Sequence, residues 1–251
     1  MRGLLDGRIA LVTGGTRGLG RAIACAFQEA GARGLLIDRE AARAVAEPVT
    51  DFAAIACDVT DEAALAAAIS AAVKRYGRVD VVVANAGVVP PWRATAALDL
   101  DEWDRVMAVN VRGVAATLKH AAPAMAERGG SIIAMASINA VKAHSQQMAY
   151  TASKHAVLGI VRAAACDLGR QGIRVNALAP GPIATEALLQ RVRTRARTGP
   201  PEDEALAALA AGNALGRLAT EADVAKAALF LASDLASGIT GALLPVDAGL
   251  L

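Results

Sequence analysis

Four short apolar runs, spaced by helical segments and each closing on a polar residue, constrain this fold most. They are Arg8 to Thr13, Gly34 to Ile37, Ala53 to Cys57 and Val79 to Ala84. Thr13, Asp38, Asp58 and Asn85 stand at their ends. The order reads βαβαβαβ, with short turns and neither repeats nor low-complexity linkers. Such an alternation predicts a parallel sheet with helices on both faces, wound by right-handed crossovers. Val79 to Ala84 has almost no polar alternation, as expected of a strand covered on both sides. In sheets of this kind functional residues gather at the carboxyl ends of the strands, where the four polar residues fall.

Three later runs, Ser131 to Ala136, Ile173 to Leu178 and Ala242 to Val246, bring the expected strands to seven. The 251 residues suit one α/β domain, and 55% hydrophobic content excludes general disorder. The expected architecture is a three-layer α/β/α sandwich with a seven-stranded parallel sheet, one domain over 1–251. Other helices are expected over Arg21 to Ala30, Glu62 to Tyr76, Leu100 to Glu127 with interruptions near Gly113 and Pro123, Tyr150 to Gly169, and Glu221 to Ala232. Thr60 or Asp61 is placed to cap the second of these.

After the first strand comes Gly14-Gly15-Thr16-Arg17-Gly18-Leu19-Gly20, then a helix. Glycines allow a tight turn, and a helix N-terminus presents free N–H groups to a pyrophosphate. The spacing is G-x-x-x-G-x-G, not G-x-G-x-x-G. Asp38 follows Gly20 by 18 residues. A carboxylate there accepts from ribose hydroxyls and repels a 2′-phosphate, which favours NAD over NADP. Arg17 and Arg39 pull the other way, since either can meet a 2′-phosphate.

The stretch Ser137 to Lys154 carries the candidate chemistry. It follows the fifth strand and ends in Tyr150-x-x-x-Lys154. Four residues are about one helical turn, so both side chains share a face if Tyr150 opens a helix. An ammonium there favours the ionised phenol, letting a tyrosine exchange a proton nearer neutrality. Asn110, within a helical segment, has no partner legible in the sequence.

Charge and cysteine content exclude other classes. The net charge is +2 with dispersed basic residues, so no nucleic-acid partner is expected. Cys25, Cys57 and Cys166 match neither a zinc pattern nor a disulfide framework, and read as small core residues in a reducing, cytoplasmic setting. No metal is expected. The opening MRGLLDGR does not read as a signal peptide, and no apolar run predicts a membrane span.

Together, TGGTRGLG (13–20), CDV (57–59), NAG (85–87), Asn110, Ser137, YTASK (150–154) and PGPIAT (180–185) resemble the short-chain dehydrogenase/reductase family. The resemblance runs from Arg8 to Gly249. It implies a Rossmann-like fold, a nicotinamide cofactor and a homodimer or homotetramer. It casts Tyr150 as general acid/base, Ser137 as the residue holding the substrate oxygen, and Lys154 as modulator of Tyr150 and ribose ligand. Asn110 would help hold a water that relays protons from Lys154. Gly14, Gly18 and Gly20 would border the pyrophosphate with Thr16, Arg17 and Leu19, and Asp38 and Arg39 would meet the adenosine ribose. Asp58 and Val59 would flank the adenine, and Asn85, Ala86 and Gly87 support the cofactor wall. Pro180, Gly181, Ile183 and Thr185 would lie along the nicotinamide. One departure is Val246-Asp247-Ala248-Gly249, where the family often reads VDGG.

Substrate specificity is then expected from 88–94, 138–148 and a lid over about 186–215. Trp92, Ile138, Val141, Met148, Ile183 and Leu188 would supply apolar walls; Asn139, His144 and Gln147 would supply polar contacts. The lid carries Arg191, Arg193, Arg195 and Arg197, able to attract an anionic substrate or to form a solvated face. The leading expectation is hydride transfer between NAD and a secondary alcohol or ketone. The alternatives are an NADPH-dependent 3-oxoacyl-carrier-protein reductase and a non-catalytic dinucleotide sensor.

Overall fold

The computed structural model describes residues 3–40, 49–196 and 200–250. All of Arg197 and the side chain of Arg195 lie outside the described structure. One seven-stranded sheet organises the rest: β1 (Ile9–Thr13), β2 (Arg33–Asp38), β3 (Phe52–Ala56), β4 (Val81–Ala84), β5 (Gly130–Met135), β6 (Ile173–Pro180) and β7 (Leu243–Val246). Every neighbouring pair is parallel, in the order β3-β2-β1-β4-β5-β6-β7. The chain winds outward from β1 to β3, then restarts beside β1 with β4. The crevice beyond β1 and β4 is therefore the place where this topology opens a binding site.

The apolar runs lack alternation because both faces of the sheet are covered. Leu11, Val82, Ile132 and Val175 point into one core with Leu65, Ile69, Val114, Leu118, Val157 and Val161. These last belong to α2 (Glu62–Tyr76), α4 (Gly113–Met125) and α5 (Met148–Leu168). Ala10, Val12, Val83 and Ile133 point the other way, onto Ile23 and Phe27 of α1 (Gly18–Glu29) and Val224 and Leu229 of α8 (Glu221–Ala232). Successive strand residues thus serve opposite cores, and each position must be apolar.

The helices begin and end for local reasons. Asp61 accepts from the Ala64 amide to cap α2, and Gly77 closes it in the left-handed region. Thr220 and Asp223 form a reciprocal box at the start of α8. By contrast, α1 has no side-chain cap and no acidic residue in its first turn. Its first N–H groups are left for another acceptor.

Two expectations are corrected. Pro123 does not interrupt α4, which runs through it to Met125. Its exposed ring faces water, which can take the carbonyl its missing N–H leaves unpaired. The other expected interruption, near Gly113, is present: a π-turn over 108–112 that contains Asn110 joins α3 (Leu100–Met107) to α4. Cys166 is exposed rather than in the core, whereas Cys57 is buried and Cys25 lies between. Two further helices, α6 (Glu186–Ala196) and α7 (Glu202–Ala211), follow β6. Among the described residues no helix is long and apolar enough to cross a membrane.

Candidate active site

A cavity of about 790 Å³ opens at the carboxyl ends of the central strands. Its wall includes Gly14, Arg17, Gly18, Leu19, Asp38, Arg39, Asp58, Val59 and Asn85 to Gly87 at one end. Ser137, Tyr150, Lys154, Pro180, Gly181, Ile183 and Thr185 line the other.

The first end is built by a buried hydroxyl and a bare turn. Thr13 closes β1 and is 1% exposed. Its Oγ1 accepts from the amides of Asn85 and Ala86, both at 3.0 Å, and donates to the Val83 carbonyl at 3.4 Å. Asn85 reciprocates, its Nδ2 donating to the carbonyls of Thr13 and Gly14 at 3.0 Å. These bonds join the carboxyl ends of β1 and β4 at the restart of the sheet. The turn is packed so tightly that a methyl on Gly20 would overlap the Gly14 carbonyl oxygen and lie 2.6 Å from Asn85 Nδ2. Neither Thr16 nor Gly20 is on the wall; both stand behind it. Thr16 fixes Asp38 instead, donating to Oδ2 from its hydroxyl at 2.8 Å and from its amide at 3.3 Å.

Asp58 is similarly held. Thr60 donates to its Oδ1 from the amide (2.9 Å) and the hydroxyl (2.8 Å), and Arg39 lies 3.8 Å from Oδ2. Burial alone would raise this carboxyl, but those bonds and the charges of Arg39 and Arg105 hold it below the usual carboxylate range.

At the second end, Tyr150 and Lys154 lie one turn apart on α5, with Lys154 Nζ 5.6 Å from the phenol ring centroid. Lys154 is 4% exposed, and its ammonium donates to the Met135 carbonyl at 2.6 Å. Burial lowers its pKa to about 8. Burial pushes the Tyr150 phenol upward, while the Ser137 hydroxyl and the charge of Arg191 pull it down. Arg191 is thus a second cation near the phenol, in addition to Lys154 on the phenol's own helix.

Asn110 has partners that its sequence position concealed. It is 0% exposed. Its Oδ1 accepts from the Val88 amide at 2.8 Å, and its Nδ2 donates to the Val88 carbonyl at 2.9 Å and to Ser153 Oγ at 3.2 Å. Ser153 in turn donates to the Tyr150 carbonyl at 2.7 Å. One side chain therefore ties the loop after β4 to the turn that carries Tyr150.

The residues expected to touch substrate divide. Asn139 is buried and off the wall; its Nδ2 donates to Gln147 Oε1 and Thr151 Oγ1, both at 3.0 Å, and its amide donates to Ser137 Oγ at 3.2 Å. It holds Ser137 rather than facing the cavity. Gln147 is its partner and is also off the wall, as are Ile138, exposed His144 and the exposed Val141 and Met148. Trp92 is behind the wall, with the Arg191 guanidinium carbon 5.6 Å from its ring centroid. Ile183 and Leu188 do line the cavity. Arg191, one of the lid arginines expected to attract an anion or form a solvated face, lines it too, as do Arg105, Glu186 and Gln190, which were not among the expected site residues. Thr185, Leu188 and Arg191 recur every three residues, a helical spacing that was the available signal.

Residues 14–251 match the family model described as enoyl-(acyl carrier protein) reductase. The chain is 42% identical to short-chain dehydrogenase reductase 3a of Arabidopsis thaliana, covering 99% of this chain and 97% of the relative.

The chain belongs to the short-chain dehydrogenase/reductase family.

Members of this family are oxidoreductases that bind NAD(P), and the Rossmann-like sheet described above is theirs. Another relative, momilactone A synthase of Oryza sativa subsp. japonica, is 42% identical over 98% of this chain and 90% of its own length. Among solved structures, carveol dehydrogenase from Mycobacterium avium in complex with NAD aligns with a TM-score of 0.90 at 33% identity, covering 98% of each chain. NAD+-bound xylitol dehydrogenase aligns with a TM-score of 0.92 at 27% identity, over 98% of this chain and 99% of that one.

Proposed function

We propose that this chain is an NAD(H)-dependent oxidoreductase interconverting a secondary alcohol and a ketone, with Tyr150 as general acid/base. One observation carries the reading: Ser137, Tyr150 and Lys154 share a cavity with the turn leading into the uncapped start of α1 and with Asp38. The residues fit a dinucleotide. The turn is bare at Gly18, where an added methyl would meet only Glu221 at 3.9 Å, which leaves room for a pyrophosphate against backbone N–H groups. Asp38, its Oδ2 fixed by Thr16, accepts from ribose hydroxyls. Asp58 and Val59 would flank the adenine, and Pro180, Gly181, Ile183 and Thr185 the nicotinamide.

When bound, the nicotinamide accepts or donates the hydride. The protein's share is position and proton. Ser137 Oγ holds the substrate oxygen beside the phenol. On oxidation, the carbinol carbon loses hydride and its hydroxyl proton goes to Tyr150; on reduction, Tyr150 returns a proton to the carbonyl oxygen. Lys154, with a pKa of about 8, still carries most of its charge at neutral pH and favours the ionised phenol. Asn110 sets the spacing between the wall loop and α5, and its π-turn opens the helical ladder where a relay water would sit. The domain spans the whole chain, with a lid over about 186–215.

Arg17 and Arg39 line the cavity beside Asp38 and favour a second reading, an NADPH-dependent 3-oxoacyl-carrier-protein reductase. Rates with NAD and NADP on a panel of secondary alcohols, sugars and ketones separate the two. An NADP preference above about tenfold, ~1.4 kcal/mol, defeats the Asp38 argument. Tyr150→Phe should abolish turnover while NADH binding persists; retained turnover would refute the acid/base assignment. Family resemblance also supports a homodimer or homotetramer, which light scattering tests; the lack of a disulfide framework among the cysteines supports a cytoplasmic setting.

A further inference from the structure

We propose that Arg191 anchors a carboxylate on the substrate, so that this enzyme acts on a hydroxy or oxo acid in preference to a neutral alcohol or ketone. The proposal rests on the oxidoreductase reading above. Arg191 lines the same cavity as Ser137 and Tyr150. It comes from α6, one turn beyond Leu188 and two beyond Thr185, which line that cavity too. Its side chain therefore enters at the substrate end rather than at the adenosine end.

Two neighbours shape what it can do. The Arg191 guanidinium lies over the Trp92 ring, with 5.6 Å from its central carbon to the ring centroid. That cation–π contact helps hold the guanidinium beside the wall. A planar fork matches the two oxygens of a carboxylate. Arg193, two residues on, is engaged elsewhere: its Nε donates to Glu202 Oε2 at 2.9 Å and its Nη1 to Glu186 Oε1 at 3.3 Å. Glu186 is the acid on this part of the wall, and its charge is thus drawn toward Arg193.

Burial pushes the Arg191 guanidinium down from its ordinary value, and Tyr150 acts in the opposite sense. The arginine is partly desolvated and within electrostatic reach of the phenol. An anion bound there would sit near the reacting carbon, where screening is weak. The carboxylate takes no part in the redox exchange; it sets which carbon meets Tyr150.

The test uses the purified full chain loaded with NADH. Acetoacetate, levulinate and longer oxo acids are each compared with their methyl esters. Turnover is followed by NADH oxidation, and ligand binding by quenching of bound-NADH fluorescence. The wild type should favour acids over esters by at least about tenfold in kcat/KM. Arg191→Ala and Arg191→Gln should remove that preference, and Arg191→Lys should keep part of it. Equal handling of acid and ester by the wild type overturns the proposal. So does a preference that survives Arg191→Ala, or an NADH-loaded protein that binds no acid. If Arg191→Ala weakens NADH itself by about tenfold or more, the side chain belongs to the cofactor and the proposal fails. Failure of the wild type to bind NADH or NADPH would instead sink the oxidoreductase reading on which it rests.

Discussion

Replacing Thr13 by valine is the sharpest test of how the site is held. The two side chains have nearly the same shape, so the substitution removes a hydroxyl and little else. Oγ1 accepts from two amides and is itself buried, so both Asn85 and Ala86 lose their acceptor. A buried donor left without a partner costs about 1–3 kcal/mol. Asn85 and Ala86 border the cavity, where water reaches them, which places the pair at the lower end, at about 2–4 kcal/mol together. For a chain of this size that corresponds to a fall in Tm of roughly 5–15 °C. Urea unfolding at fixed protein concentration measures it, with the midpoint moving and the slope unchanged. Hydrogen exchange at Asn85 and Ala86 should accelerate above that of the neighbouring strand residues. Thr13→Ser keeps the hydroxyl and sheds a methyl, and should cost only about 1 kcal/mol. A valine variant within about 0.5 kcal/mol of wild type would refute the reasoning, as would a serine variant equally damaged.

Lys154 gives a pH prediction with an unusual sign. Its folded pKa of about 8 lies below the unfolded value, so between the two the unfolded chain holds more protons. Wild type should therefore gain stability relative to Lys154→Met as pH rises from about 8 to about 10.5. Urea midpoints of both proteins at the ends of that window decide it; a constant difference would remove burial as the cause. Gly20→Ala should lower NADH affinity by more than tenfold, since the added methyl displaces the Gly14 carbonyl or Asn85, at an overpacking cost of about 1–3 kcal/mol. Equilibrium titration with NADH reads this directly, and an unchanged affinity would mean that the turn does not border the cofactor. Asp38→Asn should raise the NADP-to-NAD ratio of kcat/KM at least about tenfold, or ~1.4 kcal/mol. A ratio that stays put would assign cofactor choice to Arg17 and Arg39.

Most of the sheet was legible because its central strands are covered on both faces, which forces a continuous apolar run. The strand-end residues were legible for a topological reason: Asp38, Asp58 and Asn85 occur where parallel strands deliver side chains to a crevice. What escaped was set by distance in space. Asn110 gave no hint that it would grip Val88, because the π-turn has no composition of its own. Pro123 misled, since a proline on a wet helix face costs too little to break the helix. Asp80 was passed over, yet it is buried, accepts from the Ile9 amide at 2.7 Å and meets Arg78 at 2.9 Å. Asn139 read as a substrate contact because it lies between Ser137 and Tyr150. Its bonds to Gln147 and Thr151 turn it inward. No local pattern distinguishes a polar group facing a cavity from one bracing it.

The pairing of α1 with α8 has a consequence for how the chain is made. The two helices pack together on one face of the sheet, although α1 ends at Glu29 and α8 begins at Glu221. On a ribosome the opposite face can close once β6 has emerged, but the surface beneath α8 waits for nearly the whole sequence. Val12, Val83 and Ile133 point toward that side. A nascent chain stalled near residue 215 would carry an uncovered apolar face, the kind of surface that chaperones engage. Truncation before α8 should thus yield an aggregating, protease-sensitive product, whereas a protease-resistant monomer would show that α1 alone suffices to seal that face.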